Sequence, residues 1–593
     1  MSSSPAALLL LVVFALDLKT DRCSAARIGL FGSSGCYSHD VTMRAAGEVF
    51  RGHDVAWVQT FTFDFGVPAP SLPSNWHRMI VNQVSEDSTA ALHYTKSIIW
   101  EAVVPMDVRR LWDLRPQWAI FNILRTQHMA CYATLRSANF TTFLQQHGNL
   151  DLAVVDYMLQ ECMVGTSALF NATVSVYFSN WPLSDGYVAS FNIPWMPSTV
   201  AKTSSGLPTH MNFAERTANM VVQIFFLVSH SLQIAVVDVL HSWVGYESDI
   251  LATESRQLLY ATHSEFVIEM TRPISNQIKF FGCQRCLPSD PAKATRRSAE
   301  IQTDQLLTLP SSSSSITATL SSFTDVGGID RHLLLRPFIV VTFGSISSVQ
   351  TMGAHLLHDF MRAFGALNHT VFWQFDGVPP TDQRIPENVN LISWLPLKEL
   401  FEHPNMRLLV CHGGITTLME AVHRAIPILG LPLQGDQPTN LRRFQELGIS
   451  ELVFTNVLSA ETLLAALNKM LVNLKSYEAR ALKVSSMVRD YQDFTGDGQA
   501  FWLQWALRNG ATAQSRNYFS TRYRFAWTYY QMPELLSLFA IVALCWLLVA
   551  SDDQSDQSDH RSPINFRRIF PELSVHFDDS RSLAIDESPL MCR

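Results

Sequence analysis

Short, continuously apolar runs alternate with amphipathic stretches along most of the chain. In the second half, residues 408–411 and 426–431 form such runs, and the segment between them has the pattern of a helix with one carboxylate, Glu420, inside it. In the first half, residues 28–31 and 150–156 (LDLAVVD) have the same character. Parallel strands that are covered on both faces are apolar throughout, so this pattern predicts α/β domains with parallel sheets.

A His-Gly-Gly turn follows the strand at 408–411. His412, Gly413 and Gly414 lead the chain directly into the helix, whose first turn should contain Thr416. A helix start presents unpaired backbone N–H groups and a positive dipole end to any anion in front of it. Two glycines also let a diphosphate approach the backbone without a Cβ in the way. The turn is therefore a candidate phosphate site.

Three further polar residues complete a pattern typical of a nucleotide-sugar site. Glu420 lies one turn further along the helix, where it can accept hydrogen bonds from paired hydroxyls such as those of a ribose. Asp436 and Gln437 follow the next strand, at the strand end where ligands bind in open α/β sheets. An ordinary strand-helix-strand unit with a glycine turn is the alternative, and the combination of residues favours the site.

These residues resemble the signature of the UDP-glycosyltransferases, most closely the animal membrane-bound UDP-glucuronosyltransferases. Residues 392–400 (ISWLPLKEL) are similar to the segment whose tryptophan stacks on uracil, which is Trp394 in this chain. Residues 341–348 (VTFGSISS) are similar to the loop that touches phosphate, which places Gly344 and Ser345 there.

The resemblance implies two Rossmann-like domains facing a cleft, the glycosyltransferase-B fold, followed by a C-terminal transmembrane helix. It implies transfer of a hexosyl group, glucuronic acid or glucose, from a UDP-sugar to a hydroxyl of a small lipophilic acceptor. Single displacement by the acceptor inverts the anomeric centre. The chain has no Asp-x-Asp pair, the metal-chelating arrangement of many other glycosyltransferases. We therefore expect no cofactor and no essential metal, with the UDP-sugar as co-substrate.

The first half of the chain matches the family at the positions that matter for chemistry. The loop GSSGCYSHDVTM carries His39 in a setting similar to that of the family's catalytic histidine, and Asp156 falls where the family keeps its partner aspartate. Imidazole is a suitable base near neutral pH, and a carboxylate on the far ring nitrogen fixes its tautomer. Without the resemblance, a structural role would be the better interpretation of His39.

Two positions depart from the family pattern. The family usually has Gln after Trp-x-Pro in the uracil segment, whereas this chain has Leu397, and Thr416 replaces a common Asn or His. Losing one hydrogen bond costs on the order of 1 kcal/mol, which weakens donor binding without abolishing it. The alternative function is a silent family member that binds a ligand or partner as a membrane glycoprotein. A single-pass adhesion or receptor protein is opposed by the absence of repeats and disulfide-rich modules.

The order of segments along the chain predicts a secreted or lumenal protein with one anchor. The predicted parts are a signal peptide at 1–25, an N-terminal acceptor-binding domain at 27–286, a Ser-rich linker or insertion at 287–336, a C-terminal UDP-sugar-binding domain at 337–530, a transmembrane helix at 535–550 and a cytosolic tail at 551–593. A buried core helix is the alternative for 535–550. The resemblance implies a single-pass type I protein of the endoplasmic reticulum with lumenal catalytic domains, and it leaves a homo-oligomer open.

The remaining features add less. Asn139, Asn171 and Asn368 lie in N-glycosylation sequons. Cys283 and Cys286 form a lone C-x-x-C, which is poor evidence for zinc; we expect it to be structural, with a disulfide as one option. Residues 220–228 are strongly apolar but too short to span a bilayer, so they predict a core or interfacial helix. A net charge of −8 gives no reason to expect nucleic acid.

Overall fold

The structure is a computed structural model. It describes residues 25–34, 37–64, 72–157, 161–183, 191, 193–286, 329, 331–344, 346–377, 384–515 and 542–544. The described residues up to Ser515 belong to one compact unit. Several predicted features lie outside the described residues: the signal peptide up to residue 24, most of the linker at 287–336, Ser345, the transmembrane helix at 535–550 apart from 542–544, and the tail at 551–593.

The first half of the chain forms a seven-stranded sheet in which every pair of neighbours is parallel. Its strands are β1 (Arg27–Ser34), β2 (Asp54–Phe61), β3 (Trp76–Asn82), β4 (Leu152–Val155), β5 (Val174–Ser179), β6 (Leu259–Thr262) and β7 (Ile278–Phe280). The order is β3-β2-β1-β4-β5-β6-β7. From β1 the strand order runs one way to β2 and β3 and the other way to β4 and the strands after it. A ligand crevice is therefore expected at the carboxyl ends of β1 and β4.

Seven helices accompany this sheet in the described residues. They are α1 (Tyr37–Glu48), α2 (Glu86–Ile98), α3 (Arg115–Leu135), α4 (Ala138–His147), α5 (Glu161–Leu169), α6 (Phe213–Val244) and α7 (Ile250–Ser255). A 3₁₀ turn at Gln284–Cys286 follows β7. Local sequence sets several helix starts: Ser85 and Asn212 cap α2 and α6 with reciprocal capping boxes.

The apolar run at 220–228 belongs to α6, which is much longer than the run itself. With 32 residues, α6 is long and apolar enough to cross a membrane by length and composition. Within its most apolar 18-residue window, 28% of the residues are buried in the protein. Its buried positions include Asn219, Gln223 and His230, which face the lobe. The buried face of α6 also contributes Ile234 and Val237 to the first-lobe core, so α6 packs on the first lobe and its outer face is apolar.

The second half forms a six-stranded sheet whose neighbours are also all parallel. Its strands are β8 (Phe338–Thr342), β9 (Thr370–Gln374), β10 (Val389–Ile392), β11 (Met406–Cys411), β12 (Ile428–Gly430) and β13 (Ser450–Leu452). The order is β10-β9-β8-β11-β12-β13, which reverses between β8 and β11. The predicted pair of Rossmann-like α/β domains is therefore confirmed.

Eight helices and two 3₁₀ turns complete the second half within the described residues. The helices are α8 (Arg331–Leu334), α9 (Ala354–Gly365), α10 (Leu397–Phe401), α11 (Ile415–His423), α12 (Gln437–Glu446), α13 (Ala460–Val472), α14 (Leu474–Thr495) and α15 (Gly498–Ser515). The 3₁₀ turns are Val349–Thr351 and Thr455–Val457.

The last described helix returns to the first lobe. Leu503 and Ala506 of α15 are fully buried in a core that also contains residues of β1, β4 and β5. Gln504 Nε2 donates to the carbonyl of Val49 at 2.7 Å. The chain therefore crosses between the two lobes twice, and the first lobe is completed by residues near the end of the second half.

Candidate active site

His39 and Asp156 meet at the carboxyl ends of β1 and β4, where the strand order of the first sheet reverses. His39 lies in the first turn of α1, directly after β1, and Asp156 directly follows β4. The Nδ1 of His39 is in hydrogen-bond contact with Oδ2 of Asp156, and their side chains are 12% and 2% exposed. The backbone N–H of Asp156 donates to the carbonyl of Phe31 at 2.8 Å, which fixes the carboxylate against β1. The carboxylate orients the imidazole and presents its other side to the cleft.

The His-Gly-Gly turn lies at the corresponding point of the second sheet. Gly413 has a φ of +93°. A Cβ there would lie 2.5 Å from Cγ of Leu441, so the turn needs glycine for its conformation and for space. Gly414 begins α11 without a side-chain cap. The first N–H groups of α11 are therefore not capped by a side chain at Gly414, and their use as a phosphate site stays a prediction.

The imidazole of His412 is packed between two glycine backbones. A Cβ on Gly344 would lie 2.9 Å from its Nε2, and a Cβ on Gly414 would lie 2.8 Å from the same nitrogen. Burial lowers the pKa of His412 to about 4, against a smaller opposing effect of a backbone hydrogen bond with Thr342. Its Nδ1 is buried and has no hydrogen-bond partner in the described part of the chain. His412 is thus a neutral imidazole at the glycine turn.

Asp436 and Gln437 hold the loop beside this turn. Asn440 Nδ2 donates to Asp436 Oδ2 at 2.6 Å and to the carbonyl of Gly413 at 3.1 Å. Gln437 Oε1 accepts the backbone N–H groups of residues 433 and 434 at 2.9 and 2.8 Å. The Gln437 oxygen therefore shapes the loop, a use that the sequence did not predict.

Asp436 is electrostatically coupled to the first lobe. Burial raises the pKa of Asp436 to about 6, while the hydrogen bond from Asn440 and the proximity of His39 act in the opposite direction. An interaction of this kind requires the two side chains to be near each other across the cleft. The loop after β12 thus faces the His39–Asp156 pair.

A cavity of about 1080 Å³ joins the two halves of the site. The predicted site residues that line it are His39, Gly344, Trp394, His412, Gly414, Thr416, Glu420, Asp436 and Gln437. Trp394 is half-exposed, whereas Glu420 is 9% exposed. Leu397, at the start of α10, also lines the cavity. Asp156 contacts His39, and Gly413 joins His412 to Gly414, so both hold residues that line the cavity. Ser345 lies outside the described residues.

The first-lobe wall of the cavity is largely apolar and comes from α3 and α6. It includes Ile120, Phe121, Leu124, Phe225, Phe226 and Leu232. Sequence reasoning assigned acceptor binding to this domain but interpreted residues 220–228, which include Phe225 and Phe226, as a core or interfacial helix, and it did not identify the other four side chains. They are separated by about a hundred residues and carry no motif, since a helix face that lines a cavity has the same pattern as one that packs in a core.

Buried polar groups on the same wall were also missed by the sequence. His230 Nδ1 lies 3.3 Å from Glu161 Oε1, and His230 Nε2 lies 3.2 Å from Glu254 Oε2. Although burial disfavours its charged form, the two glutamates raise the pKa of His230 to about 10. Four side chains on this wall have a buried polar atom without a partner among the described residues: Gln117, Gln127, His128 and Gln233. These atoms are available to a bound molecule.

The three sequon asparagines, Asn139, Asn171 and Asn368, are all exposed in the structure. Asn171 has a φ of +49° and donates through Nδ2 to Asn149 Oδ1 at 3.0 Å. Their glycosylation stays a prediction.

Comparison with known proteins shows a family match over most of the chain. The model for UDP-glucoronosyl and UDP-glucosyl transferase matches residues 37–302 and 336–543. A UDP-glucuronosyltransferase of Pleuronectes platessa is 27% identical, over 60% of this chain and 68% of the relative. An ecdysteroid UDP-glucosyltransferase of Lacanobia oleracea granulosis virus is 23% identical, over 81% of this chain and 93% of the relative.

A solved structure supports the fold. The glycotransferase of kitacinnamycin superposes with a TM-score of 0.50 at 14% identity, and the match covers 82% of this chain and 98% of that one. The cleft between two parallel-sheet lobes is thus shared with a glycosyltransferase. From the family match and the geometry of the site, the chain belongs to the UDP-glucuronosyl and UDP-glucosyl transferase family and is a UDP-glycosyltransferase.

Proposed function

We propose that the protein transfers a hexosyl group, glucuronic acid or glucose, from a UDP-sugar to a hydroxyl of a small lipophilic acceptor, with inversion at the anomeric carbon. The observation that carries this proposal is the shared cavity. His39, held by Asp156, lines it from one lobe, and the His412–Gly414 turn lines it from the other. A base and a phosphate site therefore face the same volume.

His39 acts as the general base in this proposal. The acceptor hydroxyl gives its proton to the imidazole as its oxygen attacks the anomeric carbon, and Asp156 stabilises the imidazolium. The bond from the anomeric carbon to the diphosphate breaks in the same step, so UDP leaves with its electron pair. No covalent intermediate forms on the protein.

The second lobe holds the donor. The first N–H groups of α11 can donate to the diphosphate, whose charge the helix dipole favours, and the neutral imidazole of His412 lies beside them. Trp394 offers an exposed face for uracil, and Glu420 is positioned for the ribose hydroxyls. Thr416 and Gly344 lie beside the same turn, while Asp436 and Gln437 are the candidates for the sugar. No step of this proposal needs a metal ion.

The apolar wall formed by α3 and α6 is the basis for a lipophilic acceptor. When a ligand covers apolar side chains on this wall, each Å² of apolar surface removed from water contributes about 25 cal/mol of favourable free energy to binding. The buried amide groups of Gln117, Gln127 and Gln233 would then orient the polar parts of the acceptor.

The test compares the full-length protein with two variants, using UDP-glucuronate and UDP-glucose as donors and a planar phenol as acceptor. We expect His39→Gln to lower kcat by about 10²–10⁴-fold, the usual range for losing a general base, and Asp156→Asn to lower it less. Calorimetry should give the same UDP affinity for all three proteins, since neither residue touches the nucleotide in this proposal.

Three results would decide against parts of the proposal. Unaltered turnover in His39→Gln would remove the assigned base. A β-configured product is expected from an α-linked donor, so retention of configuration would exclude single displacement. Full-length protein that binds UDP but turns over neither donor would favour the second candidate, a silent binding protein, which the apolar Leu397 in the donor cavity favours.

We also propose that residues 535–550 anchor the protein in the membrane of the endoplasmic reticulum, with residues 551–593 in the cytosol. The exposed sequon asparagines support lumenal lobes. Microsomes that contain the protein should show three glycosidase-sensitive sites, and protease added outside should remove only the tail. Digestion of the lobes by that protease would reverse the proposed orientation.

A further inference from the structure

Four side chains that can bind a metal ion meet at the C-terminal end of α11, opposite the glycine turn at its start. Cys283 and Cys286 lie in the turn after β7, Glu265 follows β6, and His423 is the last residue of α11. Both cysteine sulfurs and a ring nitrogen of His423 lie within 4.8 Å of one another. His423 Nε2 is 3.6 Å from Glu265 Oε1. The two sulfurs form a disulfide in the structure.

The histidine of this cluster is buried, and the ring nitrogen nearest Glu265 has no hydrogen bond within the described residues. His423 is 7% exposed, Glu265 is 3% exposed and Cys283 is fully buried. Within the described residues, Nε2 of His423 has no hydrogen-bond partner, because 3.6 Å to Glu265 is too long. Leaving such a group unpaired is unfavourable, so a ligand at this position would remove a penalty.

The distance between the nitrogen and oxygen ligands fits a tetrahedral ion. Zinc binds histidine nitrogen and carboxylate oxygen at about 2.1 Å, which corresponds to a nitrogen–oxygen edge of about 3.4 Å in a tetrahedron. The observed separation of Nε2 and Oε1 is 3.6 Å. Zinc–sulfur bonds of about 2.3 Å require the sulfurs to be about 3.8 Å apart, so the disulfide must first be broken.

We propose that the reduced chain binds one zinc ion through Cys283, Cys286, His423 and Glu265, and that the disulfide and the metal site are alternative states of this cluster. A phosphine or thiol reductant supplies two electrons, and with two protons these convert the disulfide to two thiols. Zinc then displaces both thiol protons and is held by two thiolates, the imidazole nitrogen and the carboxylate. The site takes no part in sugar transfer.

The position of the cluster gives it a structural consequence. Glu265 and the cysteines follow strands of the first sheet, although Cys283 is buried in the core around the second sheet, and His423 ends the helix whose start is the proposed phosphate site. Cys286 Sγ already lies 3.9 Å from the carbonyl of Met419 in the same helix. A metal ion would therefore tie the first lobe directly to α11, a link that the disulfide alone does not make.

The experiment titrates full-length protein with cobalt(II) as a spectroscopic substitute for zinc, after reduction with a water-soluble phosphine in the absence of oxygen. The phosphine takes the oxygen atom of a water molecule to become a phosphine oxide, and the two hydrogen atoms of that water complete the two thiols. We expect one equivalent of cobalt with thiolate charge-transfer absorption and the intense visible bands of four-coordinate cobalt. One equivalent of zinc should remove these bands, and the oxidised protein should show none of them.

Matched variants separate this site from the other thiols of the chain. Cys283→Ser, Cys286→Ser and His423→Gln should abolish or strongly weaken the bands, while Cys411→Ala should keep them because that buried free cysteine lies elsewhere. A second measurement needs no variant: zinc should protect Cys283 and Cys286 of the reduced wild-type protein from alkylation, as followed by mass spectrometry. Equal cobalt uptake by reduced and oxidised protein, or alkylation that zinc does not slow, would overturn the proposal.

Discussion

Asp436 is the residue whose protonation should be visible in the stability of the whole unit. Its carboxyl is buried, and burial raises its pKa to about 6, above the usual value near 3.9. The folded state then binds more protons than the unfolded state between about pH 4 and pH 6. The free energy of unfolding therefore falls as pH rises through this window, by up to about 3 kcal/mol in total.

We expect Asp436→Asn to remove this part of the pH dependence. The melting temperatures of variant and wild type should agree near pH 4 and diverge up to about pH 6.5, with the variant more stable above that. UDP-sugar binding should weaken in the same variant if Asp436 holds the sugar. The exposed Asp493→Asn serves as a control. Parallel melting curves across the whole pH range would show that Asp436 is not a buried, neutralisable carboxyl.

A substitution at Leu397 should increase the affinity for UDP. Leu397 lines the donor cavity at the position where the resemblance implies a glutamine that reaches the nucleotide. We expect Leu397→Gln to lower the Kd for UDP about fivefold, since one added hydrogen bond contributes about 1 kcal/mol. Leu397→Met keeps the apolar character and should leave the Kd unchanged. Equal affinities for all three proteins in calorimetry would contradict a nucleotide contact at this position.

At the residue scale, the sequence was informative where side chains follow the ends of parallel strands. His39 and Asp156 are 117 residues apart; the resemblance implied their pairing, and the ends of the neighbouring parallel strands β1 and β4 bring them to one edge of the sheet. The same rule brings Glu265 to Cys283, because they follow the neighbouring parallel strands β6 and β7, but no such rule brings His423 to them. His423 comes from the second half of the chain, and packing between the two halves leaves no spacing in the sequence.

Among the elements, α11 with the turn before it depends most strongly on single glycines. We expect Gly413→Ala to destabilise the protein, because its φ of +93° costs a side chain about 1–2 kcal/mol and the new Cβ would lie 2.5 Å from Leu441. Donor binding should weaken with it, since the N–H groups of α11 would move. Calorimetry with UDP and thermal melting measure the two effects.

Gly353→Ala is the matched control for this change. Gly353 precedes α9, has an ordinary φ of −58°, and a Cβ there would meet nothing within 4 Å. It should change the free energy of unfolding by no more than about 0.5 kcal/mol. If both alanine variants bind UDP like the wild type, the glycine turn is not a phosphate site.

Element boundaries show where pattern reasoning was limited. The apolar run at 426–431 contains a strand of only three residues, Ile428–Gly430, although Pro427 and Leu431 on either side also hydrogen-bond to β11. The run at 220–228 proved to be part of a 32-residue helix. Apolar runs report burial, whereas the length of a helix also depends on its caps, here Asn212 and Gly245.

At the scale of the whole molecule, the two lobes are not independent, because α15 completes the core of the first lobe. Leu503 is fully buried among residues of β1, β4 and β5, and a Cβ on Gly510 would lie 2.7 Å from Val174. The sequence assigned 498–515 to the second domain, since nothing in a helical pattern indicates which sheet the helix packs on.

We therefore expect a substitution near the end of the second half to destabilise the first sheet. Leu503→Ala removes a buried side chain at a cost of about 2–5 kcal/mol, and the cavity it leaves borders β4 and β5. Hydrogen exchange should accelerate in Leu152–Val155 and Val174–Ser179 more than in Phe338–Thr342. Leu482→Ala, which changes a partly exposed residue of α14, should leave all three strands protected. Faster exchange confined to the second sheet would mean that α15 stabilises its own half of the chain.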